Sequence, residues 1–303
     1  MRRKRNFYHT GLDISRSELA WVRNPNITGA NDYVVDGNVS TTGDGSIDYP
    51  MSSMEEAIYN SNASIKLAQN RWWARRNRIF VMGDTLTEDL TQLPTKCDVI
   101  GIGSYDGNTQ PGLYGHHSSA AEAYGIRFYN VNFKAKAHAS AIFTLAGASS
   151  NSGIEFHGCT ADATLGTVTS FILATAMPFL KVKDCVMRGA FATSYISFGA
   201  GEAGGAIIEN NIMSGSLGKG IVLASTTITS WAAWMRDNDI QCAGQWVDDD
   251  ADLLYITGNR AITAIDCATY TAGFDANLLR MSNNFQTGSN AGDHDSVPHV
   301  LFA

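Results

Sequence analysis

The 303-residue chain has no apolar run approaching the roughly eighteen residues that cross a bilayer as a helix. It opens on the basic Met1-Arg-Arg-Lys-Arg-Asn6, but no apolar stretch follows to make a secretory signal. Neither a membrane location nor that export route is therefore expected. Charge is scarce, at 17% of residues against 44% hydrophobic, which excludes a disordered chain. The net charge of -7 argues against nucleic acid as the main partner. Cys-x-x-Cys pairs are missing, so a cysteine zinc site is not expected. No P-loop, dinucleotide-binding glycine phrase or Gly-x-Ser-x-Gly elbow occurs. No cofactor is implied. The cysteines number five, and Cys159 and Cys185 share one position of a repeat. They are either a disulfide or two buried thiols stacked as small apolar residues.

What the chain does have is that repeat. Gly125-Ile-Arg-Phe-Tyr-Asn, Gly153-Ile-Glu-Phe-His-Gly, Phe179-Leu-Lys-Val-Lys-Asp, Gly205-Ala-Ile-Ile-Glu-Asn, Ala232-Ala-Trp-Met-Arg-Asp, Leu253-Leu-Tyr-Ile-Thr-Gly and Leu278-Leu-Arg-Met-Ser-Asn are variants of one phrase. Their fourth positions, Phe128, Phe156, Val182, Ile208, Met235, Ile256 and Met281, are separated by 28, 26, 26, 27, 21 and 25 residues. Within each phrase apolar and polar residues alternate, the period of a strand. Asn, Asp or Gly then closes it, as turn formers do. A strand recurring near every 26 residues is one coil of a parallel β-helix, in which like residues stack about 4.8 Å apart. Aliphatic stacks and an inward Asn column (Asn130, Asp184, Asn210, Asp237, Asn283) are expected. Equal spacing extends the register back to Ile100 and Ile102, paired with Ile126 and Phe128. A further coil is expected around Ile79-Phe-Val-Met82. An antiparallel sandwich would instead show strands every 8 to 12 residues or so.

The organisation that follows is an N-terminal arm over 1–40, a turn and capping helix over 41–78, the β-helix over 79–288 and a tail over 289–303. Ser52…Glu55 and Ser53…Glu56 are overlapping capping boxes at a helix start. That short amphipathic helix would plug the open end of the stack, which otherwise exposes core and an unpaired strand edge. Gly43-Asp-Gly-Ser, the Met54-Glu-Glu-Ala-Ile58 helix and Ile79-Phe-Val-Met-Gly83 with Thr87-Glu88 resemble the entry segment of pectate-lyase-like right-handed parallel β-helix proteins. The resemblance covers about residues 41–288. It implies an all-β, single-stranded right-handed solenoid and leaves function open among polysaccharide lyases, glycoside hydrolases, phage tailspikes and non-enzymatic virion proteins.

The outward positions are where such a fold carries chemistry. One column reads Arg127, Glu155, Lys181, Ile207, Trp234, Tyr255, Arg280, and the next Tyr129, His157, Lys183, Glu209, Arg236, Thr257, Ser282. Glu155, His157 and Glu209 are the candidate catalytic residues. The two glutamates fall two coils apart, roughly 10 Å. Each stands beside cations that lower its pKa, which suits a charge-paired surface better than a general acid. Trp234, Tyr255, Tyr129 and Ile207 are candidates for a glycan or subunit contact, with Trp231 and Trp246 nearby. Asp248, Asp249, Asp250 and Asp252 form an acidic turn that could supply oxygens to calcium, or simply a solvated loop. His116 and His117 lie in a polar loop and would be a metal site or solvent-exposed. Arg2, Arg3, Lys4 and Arg5 are candidates for attachment to a larger assembly.

Together these features lead to the expectation of a non-enzymatic structural virion protein, a capsid decoration or spike. Its arm, residues 1–40, would bind other virion proteins. The resemblance implies a homotrimer, and Ile207 could serve that contact. The alternative is a glycan-binding or polysaccharide-degrading phage tailspike, with host surface glycan as partner. No nucleic acid and no membrane are expected.

Overall fold

The computed structural model describes residues 31–68, 75–103, 110–119, 124–136, 140–145, 152–175, 177–199, 201–202, 204–223, 226–227, 232–249, 254–263 and 279–287. Among the described residues the strands fall into sheets of ten, nine and six, with a separate two-stranded ladder, and neighbouring strands run parallel. The first sheet runs Asp32–Asp36, Asn77–Met82, Cys97–Gly101, Tyr124–Tyr129, Ser152–His157, Lys181–Lys183, Ile207–Glu209, Ala233–Arg236, Leu254–Thr257 and Leu279–Ser282. Each neighbour is one coil further along the chain. The second sheet, Leu86–Thr87 to Phe285–Thr287, and the third, His117–Ser119 to Val247–Asp249, advance in the same way. This is a parallel β-helix.

The expected apolar columns are its core. Phe128, Phe156, Val182, Ile208, Met235 and Ile256 are all buried in register. Phe128 and Phe156 stack at 5.1 Å between ring centroids. Fully burying such a side chain is worth about 1.5–3 kcal/mol, and the gain repeats on every coil. Strand entries need a left-handed backbone, with φ of 62° at Gly125, 68° at Gly153 and 70° at Gly205. A Cβ at Gly205 would come within 2.5 Å of the Phe179 ring.

The helix, α1 (Met54–Leu67), packs Met54, Ala57, Ile58 and Ile65 inward. Ser53 is its N-cap and accepts from the Glu56 amide, but the Ser52 box does not form. Glu88 takes the remaining role, accepting from the Met54 and Glu55 amides at 3.0 Å each. A carboxylate from the neighbouring coil thus meets the positive end of the helix dipole. Asn77 ties the helix to the first sheet, donating to the Ser61 carbonyl at 3.0 Å and to Ser64 Oγ at 2.6 Å.

Three expectations require correction. The stack starts before residue 41, because Asp32–Asp36 pairs with Asn77–Met82 inside the segment read as an arm. The α1 insertion separates these two strands by 46 residues, which hides the repeat. Second, Val99 and not Ile102 opposes Phe128, and Ile100 opposes Tyr129. That coil is three residues longer than the period assumed, and Ile102 is exposed. Third, most of the turn column does not point inward. Asn130, Asp184, Asn210, Asp237 and Asn283 adopt φ of 54–56°; Asn130 is buried and donates to the Gly101 carbonyl, but Asp184, Asn210, Asp237 and Asn283 are exposed.

The inward asparagines stand one residue later. Asn211, Asn238, Asn259 and Asn284 form a ladder in which each Nδ2 donates to the next Oδ1 at 2.8–2.9 Å. Each of these Nδ2 groups also donates to a carbonyl of the preceding coil, Val182, Ile208, Met235 or Ile256. Cys159 and Cys185 hold the same position and are free, buried thiols. Their Sγ atoms donate to the Phe128 and Phe156 carbonyls at 3.5 and 3.6 Å. A thiol there does half of what the amide does.

Candidate functional site

The outer face of the first sheet holds most of the candidate residues on two adjacent columns. The pairing sets Asp32, Arg78, Asp98, Arg127, Glu155, Lys181, Ile207, Trp234 and Tyr255 in one line. The other line is Ile100, Tyr129, His157, Lys183, Glu209, Arg236 and Thr257. The first begins as alternating charges. Arg78 forks onto Asp32. The buried Asp98 receives Arg127 Nε at 2.7 Å, Arg127 Nη2 at 2.9 Å and Arg76 Nη1 at 2.7 Å. Burial would lower the Arg127 pKa, but Asp98 outweighs it and raises the group above its ordinary value. Asp98 escaped the sequence reading because the equal-spacing register put the wrong residue opposite Arg127, and the Asp32–Arg78 pair because the α1 insertion separates its two strands.

Glu155 sits between two partners, with His157 Nε2 and Lys181 Nζ each 2.8 Å from one of its oxygens. Burial would raise its carboxyl, but those two groups outweigh the effect and hold it down at about 2. His157 also stacks on Tyr129, at 5.0 Å between centroids. Glu209 bridges Lys183 and Arg236, at 2.9 Å from each. Its pKa is lowered too, burial being outweighed by the same two cations. A general acid must hold its proton near neutral pH. Both carboxyls are ionised and paired, so this face is poorly suited to acid catalysis.

The aromatic residues divide. Trp234 and Tyr255 stack at 4.3 Å with their planes 9° apart, and Trp234 is 37% exposed. Ile207 lies next to Trp234 in the column. Tyr129 is instead buried at 7%, clustered with Ile100 and Phe80, so it offers no open contact surface. Trp246, expected among the exposed aromatics, is fully buried in the core. Trp231 lies outside the described residues.

Other candidates move as well. Asp248 and Asp249 belong to the strand Val247–Asp249, opposite Val222 and Leu223, and not to a turn. Asp250 and Asp252 lie outside the described residues, as do Arg2, Arg3, Lys4 and Arg5. Among the described residues no group of three or more His, Cys, Asp or Glu is arranged to hold a metal. His117 is neither a loop residue nor exposed. It sits on the strand His117–Ser119, buried against Phe133 and Phe143. His116 is half-buried, its Nδ1 2.8 Å from the Ala141 carbonyl. Local polarity around the pair gave no hint that the next residue turns into the core.

No helix among the described residues is long and apolar enough to cross a membrane. No family model matches the chain, and no curated protein matches it. Among solved structures, a double mutant of the tailspike protein of E. coli bacteriophage HK620 is similar to 93% of this chain and 71% of its own, at 12% identity and a TM-score of 0.39.

Proposed function

We propose that this chain is a virion β-helix of the phage-tailspike kind that recognises a surface glycan without cleaving it on the outer face of the first sheet. The observation that carries this reading is the row of exposed Trp234 between half-buried Ile207 and Tyr255, beside the Lys183–Glu209–Arg236 row. An apolar ridge flanked by hydrogen-bonding charges matches the two sides of a sugar chain, its C–H faces and its hydroxyls. The paired, ionised Glu155 and Glu209 support binding over hydrolysis.

Calorimetric titration with a panel of bacterial surface polysaccharides tests the proposal. Binding of at least one polymer is expected, with no reducing ends and no unsaturated product released. Trp234→Ala, with the fold retained by circular dichroism, should weaken binding by about tenfold. Failure to bind any polymer would sink the glycan reading, and product release lost in Glu209→Gln would sink its non-cleaving part.

A second reading, a purely structural spike or capsid decoration, is favoured by the Trp234–Tyr255 stack itself. One face of each ring is covered by the other, as in a ladder that strengthens the contact between coils. On that reading Trp234→Ala lowers stability and removes no ligand. In either case we propose a homotrimer attached to other virion proteins through its N-terminal segment, where Arg2, Arg3, Lys4 and Arg5 cluster. Light scattering on the full chain should give three times the monomer mass. Removing residues 1–30 should abolish attachment and leave the folded coils intact; a monomer, or attachment that survives the deletion, would contradict this assembly.

A further inference from the structure

We infer that the N-terminal cap of the stack is the seat of this chain's own basic segment, residues 2–8. The cations of that segment meet the carboxylates of the cap, and its aromatic rings meet the apolar side chains that the cap exposes. The inference makes no use of the glycan ridge and holds whether or not that ridge binds sugar. Attachment of the segment to another virion protein would displace it from this seat.

The first ground is the surface that the cap presents. Residues 45–51 lie along the outer edge of the first strand, Asp32–Asp36. The Val34 amide donates to the Gly45 carbonyl at 2.7 Å, the Asp36 amide to the Met51 carbonyl at 2.9 Å and the Met51 amide to the Val34 carbonyl at 2.9 Å. The cap therefore meets a partner with side chains and not with an open strand edge. Ile47, Tyr49 and Tyr59 are 65–68% exposed. Tyr59 lies on the side of α1 away from the buried Met54, Ala57 and Ile58, one turn on from Glu55 and Glu56. Turn and helix make one surface. Thr42 Oγ1 donates to Glu56 Oε2, and the Tyr33 hydroxyl, on a ring that lies against Gly45, donates to the Asn60 carbonyl. Large apolar side chains grouped on a surface mark a contact site.

The second ground is charge. Residues 31–68 carry Asp32, Asp36, Asp44, Asp48, Glu55 and Glu56 against a single cation, Lys66. Among the described residues Asp44, Asp48, Glu55 and Glu56 form no ion pair with a Lys or Arg. Asp44 accepts from the Ser46 amide, Glu55 from the Thr91 hydroxyl and Glu56 from the Thr42 hydroxyl. In the coils Asp98, Glu155, Asp162, Glu209 and Asp239 each meet a cation. Lys66 and Arg75 stand toward the C-terminal end of α1, where Arg75 Nη1 donates to the Ser64 carbonyl at 2.9 Å. Arg76 and Arg78 are engaged by Asp98 and Asp32. The N-terminal half of α1 and the turn beside it are thus acidic, a field that attracts and orients a cationic partner.

The third ground is the segment that starts at this end and lies outside the described residues. Residues 1–30 carry Arg2, Arg3, Lys4, Arg5, Arg16 and Arg23 against Asp13 and Glu18. The segment joins the fold at Asn31, whose amide donates to Asn77 Oδ1 and whose Nδ2 donates to the Tyr33 hydroxyl. Tyr33 in turn bonds to Asn60, the neighbour of Tyr59. The basic segment is therefore tethered beside the acidic surface, and a short tether raises its effective concentration above that of any free basic partner. Its residue order fits the seat. Four successive cations suit the carboxylates and the face of the Tyr59 ring, and Phe7 and Tyr8 follow for Ile47 and Tyr49.

The test is zero-length coupling of the full-length protein with a carbodiimide, which joins an amine to a carboxylate only where the two touch. Chymotryptic peptides of the product are then read by mass spectrometry. Lys4 is expected to be joined to Asp44, Asp48, Glu55 or Glu56 in the band that runs as a single chain on a denaturing gel. The yield should fall at about 0.5 M salt, which screens exposed charges. The second measurement is the rate of trypsin cleavage after Arg2, Arg3, Lys4 and Arg5. Neutralising the seat with Asp44→Asn, Asp48→Asn, Glu55→Gln and Glu56→Gln together should speed that cleavage about tenfold at low salt and leave it unchanged at about 0.5 M salt. Lys4 joined only to carboxylates of the coils, such as Glu209 or Asp237, would overturn the seat. The same Lys4 links found only in a covalent dimer would overturn the own-chain assignment in favour of a second copy. No Lys4 link to the cap in the parent protein, whatever the variant does, would remove the inference and leave the glycan reading untouched.

Discussion

Asn238→Ala is expected to destabilise the protein by about 3–5 kcal/mol, because four buried hydrogen bonds are lost at about 1 kcal/mol each and one backbone amide is left without a partner. Asn238 Oδ1 accepts from the Asn211 amide at 3.1 Å and from Asn211 Nδ2 at 2.8 Å. Its Nδ2 donates to the Ile208 carbonyl at 2.9 Å and to Asn259 Oδ1 at 2.8 Å. Truncation strands the Asn211 amide and takes the side-chain donor from the Ile208 carbonyl. The other two partners keep one bond each, to the Val182 carbonyl and from the Asn238 amide. Asn238→Cys should cost less, since the native Cys159 and Cys185 already occupy this column and donate to the equivalent carbonyls. Asn210→Gly is the control, on the exposed left-handed turn just before the neighbouring rung Asn211, and should be nearly neutral. Urea unfolding of the three variants reads the series. An Asn238→Ala protein as stable as the parent would mean that the ladder does not hold the coils together.

His117→Leu is expected to stabilise the protein in acid. His117 is buried between Phe133 and Phe143, and neither ring nitrogen has a hydrogen-bond partner in the structure. Burial pushes its pKa from 6.5 down to about 3, against small opposing effects of Asp89 (upward) and His116 (downward). The unfolded chain therefore takes up this proton first as pH falls below 6.5. Stability is lost progressively from there and levels off near pH 3, by about 5 kcal/mol in total from this residue alone. Leucine removes the proton linkage. It also removes two unpartnered polar atoms, which should add about 1–2 kcal/mol at pH 7. The readout is the difference in unfolding midpoint between parent and variant from pH 7 to pH 3. Glu155, Asp162 and Glu209, whose pKa values are lowered, also lose stabilisation in acid, but they do so in both proteins. A difference that stays flat across this range would show that His117 does not titrate in the core.

The inward columns of the first sheet were legible before any coordinates. Phe128, Phe156, Val182 and Ile208 repeat at 26 to 28 residues, and strict alternation assigns a face to each neighbour. The pairs Glu155–Lys181 and Lys183–Glu209–Arg236 follow from the same count, because like positions on successive coils must lie side by side. The asparagine ladder was misplaced by one residue for a physical reason. A left-handed residue such as Asn210 or Asp237 breaks the alternation, so the residue after it, Asn211 or Asn238, turns inward. Asp98 and the strand Asp32–Asp36 were hidden by a long coil and by the α1 insertion, which change the spacing and not the pairing. His117 and Trp246 belong to the third face and its corner. There strands are only three residues long, too short for alternation to show which side is buried.

By itself, then, the sequence determined the architecture, the core columns and the partners of the two glutamates. All three depend on a period that repeats along the chain, and a repeated period is a local property. Tertiary structure alone decided which coil is long, where the stack begins, which polar residues face inward and how deep each charge lies. Those depend on insertions, on single left-handed residues and on the close approach of segments some 46 residues apart, such as Asp32 and Arg78. That depth sets Glu155 and Glu209 below the more exposed Lys181, Lys183 and Arg236. It follows from the length of lysine and arginine side chains over shorter carboxylates held at 2.8–2.9 Å beneath them.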